Sequence, residues 1–402
     1  MALSSSMPRA LSGRMVTEAG IVEDGLLAWD GSRITEAGVS AGRTRPWQLP
    51  EGYLILPGLI DLHCHGGGGG DFTSSSSTDI ASAARHLHAS GSTTVLASTC
   101  AAPLDELEAA FDRLAAAAEA GLVAGIHAEG PFLSKDRNGA HDPAFLLLPS
   151  QADAARLIAA GRGHLASMTY APELPGSDLL VYELVTHGVI PSIGHTDSST
   201  EETAAALDLI NEELASTGFA GFSGRPTATH LFNAMPGIHH RSPGPVPLLL
   251  QRARAGEIAV ELIADNVHLH PETVRMAFTI AGSENICLVS DSTAAAGCTS
   301  GVHRLGRSEI TVIDGSAVLT ATGALAGGSG SLLDVVRCAV GAGVDVVDAV
   351  RSATTVPASV LGLADEVGAL RSGLRADAVV VSPDLELKGV LRGGEWVRPL
   401  ES

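Results

Sequence analysis

The sequence predicts an α/β fold: a (β/α)8 barrel of the TIM type, with a small β-sandwich-like domain assembled from both chain ends. Three observations lead there. Strand-like apolar runs alternate with helical stretches through the middle of the chain, which is the pattern of a parallel α/β fold. Eight such units over roughly 300 residues suit a closed barrel. The two ends, by contrast, read as short β segments punctuated by glycine.

In order, residues 19–56 hold hairpin-like text such as Gly25-Leu26-Leu27-Ala28-Trp29 and Arg33-Ile34-Thr35. A Pro57-Gly58 turn then opens the first apolar run, Leu59, Ile60 and Leu62. Strand-like runs are expected at 60–65, 93–97, 123–127, 166–170, 189–193, 228–231, 258–263 and 286–290. Helical stretches lie between several of them, at 79–90, 104–120, 153–160, 179–186, 200–214 and 271–281. The closing segments Asp377-Ala378-Val379-Val380-Val381-Ser382 and 391–397 return to the β character of the start. Chain ends commonly lie close together, so residues 1–56 and 366–402 are assigned to the small domain and 57–365 to the barrel. A doubly wound open sheet is the competitor, but no Gly-x-Gly-x-x-Gly follows a first strand and opens a helix. Residues 217–226 are glycine-rich and read as a loop insertion.

Composition excludes several classes. With 402 residues, 45% of them hydrophobic, a large core is available without disulfides. The 25 basic and 45 acidic residues leave a formal net charge of −20, which argues against nucleic acid or an anionic membrane as partner. An anionic substrate would need a local basic pocket. The five cysteines Cys64, Cys100, Cys287, Cys298 and Cys338 have no paired spacing, as expected in a reducing, cytoplasmic setting. No apolar run follows Arg9 and Arg14, so no signal peptide is read. The apolar stretch 332–350 is broken by Asp334, Arg337, Asp345 and Asp348 and cannot span a membrane.

Active sites of such barrels collect at the C-terminal ends of the strands. The first run ends in His63-Cys64-His65; strand side chains alternate, so the two imidazoles leave one side and Cys64 the other. Further polar residues close later runs: His127 and Glu129, His195, His230 with Asn233, and Asp291. A His-x-His pair alone is more often a polar strand end than a metal site, since a metal needs three or four ligands. Imidazoles and carboxylates gathered on one rim are what a hydrolytic divalent-metal site requires.

These segments resemble the amidohydrolase superfamily and, within it, the family of N-acetylglucosamine-6-phosphate deacetylases. The resemblance is carried by PGLIDLHCHGGGG, GIHAEGPF, NGAHDP, YAPE, IGHT, THLFNAMPGIHHRSPG, IADNVHLHPE, LVSDSTAAAG and ALAGGS, between residues 57 and 330. The His-x-His strand is common to the superfamily, whereas THLFNAMP with its downstream Arg is far more specific. The resemblance implies that Glu129, His195 and His230 bind a principal metal ion, and that His63 and His65 hold a second. One or two ions per subunit are therefore expected, zinc first, with iron, manganese or cobalt as alternatives. Lysine occurs only at Lys135 and Lys388, neither at a strand end, so no carboxylated lysine can bridge two ions and Glu129 is the carboxylate to do so.

The resemblance also implies that Asp291, counted with the metal-site residues, is the general base and acid, and that His141 polarises the substrate carbonyl. Ala140, Asn233, Ala234, Leu325, Ala326 and Gly327 would line the sugar, with Arg241 and His268 on its phosphate. The expected reaction is hydrolysis of N-acetylglucosamine 6-phosphate to glucosamine 6-phosphate and acetate by metal-activated water. A homodimer sharing the phosphate pocket is implied as well. Another N-acyl sugar phosphate or a cyclic amide is the alternative substrate, and a non-catalytic barrel is the rival from another class. His86, His88, His239, His240, His270 and His303 are assigned no role, and His127 is left between packing and supporting a ligand.

Overall fold

The computed structural model describes residues 9–39, 46–74, 76–216, 225–298, 300–313 and 315–401. Among them, the middle of the chain forms a parallel sheet of eight strands whose neighbours follow chain order. The first to eighth barrel strands are Leu59–Asp61, Ser92–Thr99, Gly125–Glu129, Leu165–Tyr170, Ile190–Ile193, Thr227–Ala228, Ala259–Leu262 and Ile286–Leu288. Each falls on an apolar run of the sequence, because strands covered on both faces must be apolar on both.

Closure between the eighth and first strands is made just beyond both of them. The Asp291 N–H donates to the His63 carbonyl at 2.9 Å and the His65 N–H to the Ser292 carbonyl at 2.7 Å. Cys64 and Ser292 form a parallel bridge. Below them, the buried Asp61 carboxylate accepts from the Ser290 amide at 3.1 Å and the Ser290 hydroxyl at 2.6 Å. The residues that seal the barrel are therefore the neighbours of the expected metal ligands.

Helices cover the outside. Leu104–Glu119 buries Leu107, Ala110, Phe111, Leu114 and Ala115, the three-and-four spacing of one apolar stripe, and carries Asp105 and Glu106 in its first turn, where acids suit the helix dipole. Fully burying one such side chain as Phe111 stabilises by about 1.5–3 kcal/mol. Ser150 caps Gln151–Ala160 by accepting from the Asp153 amide. The helix Pro245–Arg254 is not among the helical stretches expected from the sequence; Pro245 and Pro247 both sit in its first turn, where a missing N–H costs nothing. The stretch 332–350 resolves into Leu332–Gly341, opened by a Ser331/Asp334 capping box, and Val346–Ser352. The short helix Thr355–Val360 follows, and its Val356, Ala358 and Val360 pack with Ile60, Leu96, Ile190, Ala259 and Cys287 from the barrel strands.

Both termini contribute to a second sheet, ordered Glu395–Arg398, Leu387–Arg392, Ala378–Val381, Leu54–Pro57, Ala10–Thr17, Gly20–Asp30, Arg33–Val39. Leu54–Pro57 lies between the two ends, antiparallel to Ala378–Val381. Its next residue, Gly58, leads straight into the first barrel strand. A three-stranded antiparallel meander, Val302–Leu305, Ser308–Ile313 and Ser316–Leu319, is inserted after the eighth strand and was not foreseen. Of the glycine-rich insertion at 217–226, residues 217–224 lie outside the described residues. Among the described residues, no helix is long and apolar enough to cross a membrane.

Candidate active site and metal centre

The strand ends bring seven side chains to one point. The Glu129 carboxylate sits at its centre: Oε1 lies 2.9 Å from His230 Nε2, 3.0 Å from His195 Nε2 and 3.5 Å from His63 Nε2. Its Oε2 lies 3.1 Å from both His65 Nε2 and His141 Nε2. Asp291 Oδ1 is 3.3 Å from His65 Nε2 and 3.5 Å from His63 Nε2. All seven residues are buried. His63 and His65 lie on one side, 3.1 Å apart at Nε2, although the first strand ends at Asp61 rather than running through them. The sixth strand likewise stops at Ala228, short of the expected 228–231. The reason is local: His230, Phe232 and Ala234 turn at φ of 28°, 79° and 50°, which no strand accommodates. His195 and Asp291 also hold positive φ, at 47° and 45°. Non-glycine residues there cost about 1–3 kcal/mol each and persist only where their surroundings impose them.

Hydrogen bonds on the far side of each ring fix which nitrogen carries the proton. His195 Nδ1 lies 2.8 Å from the Arg137 carbonyl, which can only accept, so Nδ1 is the donor and Nε2 presents a lone pair. His63 Nδ1 lies 3.3 Å from Glu261 Oε2, with the same consequence. Lone pairs of two imidazoles thus point at the oxygens of Glu129 and Asp291, an arrangement that repels unless a positive charge, either a metal ion or a second proton on the ring, lies between. His141 is the reverse: its Nδ1 accepts from the Ala101 amide at 3.1 Å, so Nε2 carries the proton and donates to Glu129.

The electrostatics agree. Burial alone would lower His63, yet the carboxylates of Glu129, Asp291 and Glu261 lift its pKa to about 10. Burial alone would raise Glu129, yet His63, His141 and His195 hold it well below the usual carboxylate range. Asp291 is depressed in the same way by His63 and His65 against the effect of burial. His141 is held below the usual imidazole range, because burial outweighs the pull of Glu129. A site with such affinity for positive charge fits a divalent cation. Donor atoms of His63, His65 and Asp291, of His63, Glu129 and His230, and of Glu129, His141 and His195 each lie within 4.8 Å of one another. Bonds of about 2.0–2.2 Å from nitrogen and oxygen to a common ion leave neighbouring donors near the separations seen here.

This centre floors a cavity lined also by Ala140, Asn233, Ala234, His268, Leu325, Ala326 and Gly327, all expected from the sequence. His268 Nδ1 is tied to Asp265 at 2.7 Å. Arg241 is not part of the lining; it lies exposed on its loop with Nη1 2.7 Å from His240 Nε2. His127 touches neither carboxylate: hydroxyls of Ser98 and Thr169 hold its two nitrogens at 2.9 and 2.7 Å, and its ring packs edge-on to His63. Cys64 is buried on the far side with Ser292, as alternation requires.

Three residues were missed. Glu261 orients His63 and accepts the His230 amide at 3.3 Å; a lone carboxylate within the apolar run 258–263 was the available signal. Cys100 lines the cavity with Sγ 3.3 Å from His65 Nδ1, and Leu305 reaches it from the inserted meander. Neither carries a signal in the sequence.

A closed parallel barrel with imidazoles, one central carboxylate and an aspartate at its C-terminal rim defines a metal-dependent hydrolase. The chain belongs to the amidohydrolase family, whose model matches residues 54–397. It is 32% identical over 389 residues, 95% of this chain and 97% of the other, to the N-acetylgalactosamine-6-phosphate deacetylase of Escherichia coli O157:H7. The N-acetylglucosamine-6-phosphate deacetylase of Bacillus subtilis (strain 168) is 30% identical, with 93% and 92% of the two chains covered. The crystal structure of N-acetyl-D-glucosamine-6-phosphate deacetylase from Mycobacterium smegmatis matches with a TM-score of 0.88 at 35% identity, over 96% of this chain and 99% of that one.

Proposed function

We propose that the protein hydrolyses the acetamide of an N-acetylhexosamine 6-phosphate, with N-acetylglucosamine 6-phosphate as first candidate, giving the amino sugar phosphate and acetate. The observation that carries this reading is the opposite protonation of the histidines: lone pairs of His63 and His195 beside an N–H of His141, around one carboxylate. The sugar phosphates in the relatives' names support the substrate class.

Glu129, His195 and His230 would hold the principal ion, and His63 and His65 a second, with zinc best suited to the donor set. A bound divalent ion lowers the pKa of water and polarises a carbonyl. His141 donates its Nε2 proton to the carbonyl oxygen as charge develops there. Asp291 accepts the proton of the attacking water and returns it to the nitrogen, without which an amine leaves poorly. Asn233 and the backbone at Ala140, Ala234 and Leu325 to Gly327 contact the sugar. At the outer end, His268 meets the phosphate, joined by Arg241 from its exposed loop. On a chain of net charge −20 such local positive groups are needed. A homodimer sharing this phosphate end completes the proposal. Five free thiols are in keeping with a cytoplasmic enzyme.

The galactosamine epimer is the second reading, favoured by the Escherichia coli relative. The test is amine release by metal-loaded protein from both phosphorylated epimers and from unphosphorylated N-acetylglucosamine. Fast release is expected only with the phosphate, and Arg241→Ala should raise KM for phosphorylated substrate by roughly 10- to 100-fold. Equal rates with and without phosphate would discard the phosphate end, and no release from any would discard the reaction.

A further inference from the structure

The inserted meander puts an apolar side chain where the proposed reaction has no polar work to do. Its first two strands meet across the turn Gly306-Arg307, with Leu305 paired to Ser308. Gly306 takes φ 56°, a left-handed conformation that glycine adopts without strain. Three ties hold this tip down. The Gly306 amide donates to Asp71 at 3.1 Å, Arg307 Nη1 to Glu106 at 2.7 Å, and the Arg307 guanidinium lies 5.2 Å from the centre of the Phe145 ring. Leu305 is thereby buried into the cavity wall, in one cluster with Cys100 and Ala326, against which Ala140 packs.

The other three members of that wall adjoin the reacting centre. Cys100 Sγ is 3.3 Å from His65. Ala140 precedes His141, and Ala326 precedes Gly327, where an added Cβ would fall 2.8 Å from the Asp291 carbonyl. These residues come from the loops after the second, third and eighth strands. The polar lining, Asn233 and His268, follows the sixth and seventh. An N-acetylhexosamine phosphate bears one wholly apolar group, the acetyl methyl, and that group is bonded to the carbon under attack.

On the reading that the substrate is such a sugar phosphate, we infer that Cys100, Ala140, Leu305 and Ala326 form the acyl pocket, and that Leu305, delivered by the meander, sets the longest N-acyl group admitted. The wall acts on the acyl chain; the phosphate end acts on the other half of the molecule.

The experiment compares kcat/KM of metal-loaded wild type, Leu305→Val and Leu305→Ala for N-acetyl-, N-propanoyl- and N-butanoylglucosamine 6-phosphate. One methylene in an apolar pocket is worth roughly 10- to 200-fold. Wild type should therefore fall steeply from acetyl to butanoyl. Leu305→Ala should raise the butanoyl-to-acetyl ratio by about tenfold or more, with Leu305→Val between, so the graded series decides even if the larger truncation folds poorly. An unchanged ratio in variants that still cleave the acetyl substrate overturns the acyl pocket alone. If wild type cleaves none of the three, the substrate reading itself fails and this inference with it.

Discussion

Glu261 holds the His63 ring and the His230 backbone at once, and removing it separates the placement of these two residues from their identity. The carboxylate is buried at 3% exposure, with Oε2 3.3 Å from both His63 Nδ1 and the His230 backbone nitrogen. In Glu261→Ala two buried donors lose their acceptor, at about 1–3 kcal/mol each, so metal-free protein should be destabilised by about 2–6 kcal/mol. Partners that orient ligating histidines are worth roughly 10- to 100-fold in metal affinity, or about 1.4–2.7 kcal/mol. Glu261→Gln keeps an oxygen for both donors but loses the charge that favours a cation, so its affinity should fall about tenfold with a smaller loss of stability. The assays are chelator competition for ion affinity and thermal melting of metal-free protein. Wild-type ion affinity in Glu261→Ala would refute the reasoning, since His63 and His230 would then need no such support.

Two further outcomes follow from the same geometry. Asp291→Asn retains an oxygen at Oδ1 but cannot take a proton, so turnover should drop by roughly 10²–10⁴ with metal content kept; steady-state kinetics beside metal analysis checks this, and undiminished turnover removes Asp291 from proton transfer. Gly194→Ala would set a Cβ 2.7 Å from Thr229 Cβ and 2.9 Å from Thr169 Cγ2, next to His195. Overpacking of this kind costs about 1–3 kcal/mol, so both the melting temperature and turnover should fall, and wild-type values of both would show that the rim yields more easily than its packing implies.

The barrel was legible because burial on both faces leaves apolar runs, and the site because several of those runs close on a histidine or a carboxylate. His63, Glu129, His195, His230 and Asp291 could be found in this way without any knowledge of pairing. What the sequence withheld depends on contacts between distant segments. That Asp291 and His63 meet follows from barrel closure, where Asp291 hydrogen-bonds to the His63 carbonyl. The donor role of His141 comes from the Ala101 amide, forty residues before it in the chain. Leu305 looks like any leucine in a short β segment until the tip of its hairpin is fastened to Asp71 and Glu106. The turn after the sixth strand was misread as strand because left-handed residues there are not glycines, so the usual marker of such a conformation is missing.

The strand that joins the two chain ends also fixes a schedule. Leu54, Ile55 and Leu56 are all buried in the finished protein. Their partner Ala378–Val381 leaves the ribosome more than 300 residues later. At about 5–20 residues per second, that interval lasts on the order of tens of seconds. Throughout it a greasy β edge stands open beside the segment that will become the metal-binding rim, a ready template for pairing with another nascent chain. A stretch synthesised long after Leu54–Pro57 is thus the one that covers its open edge.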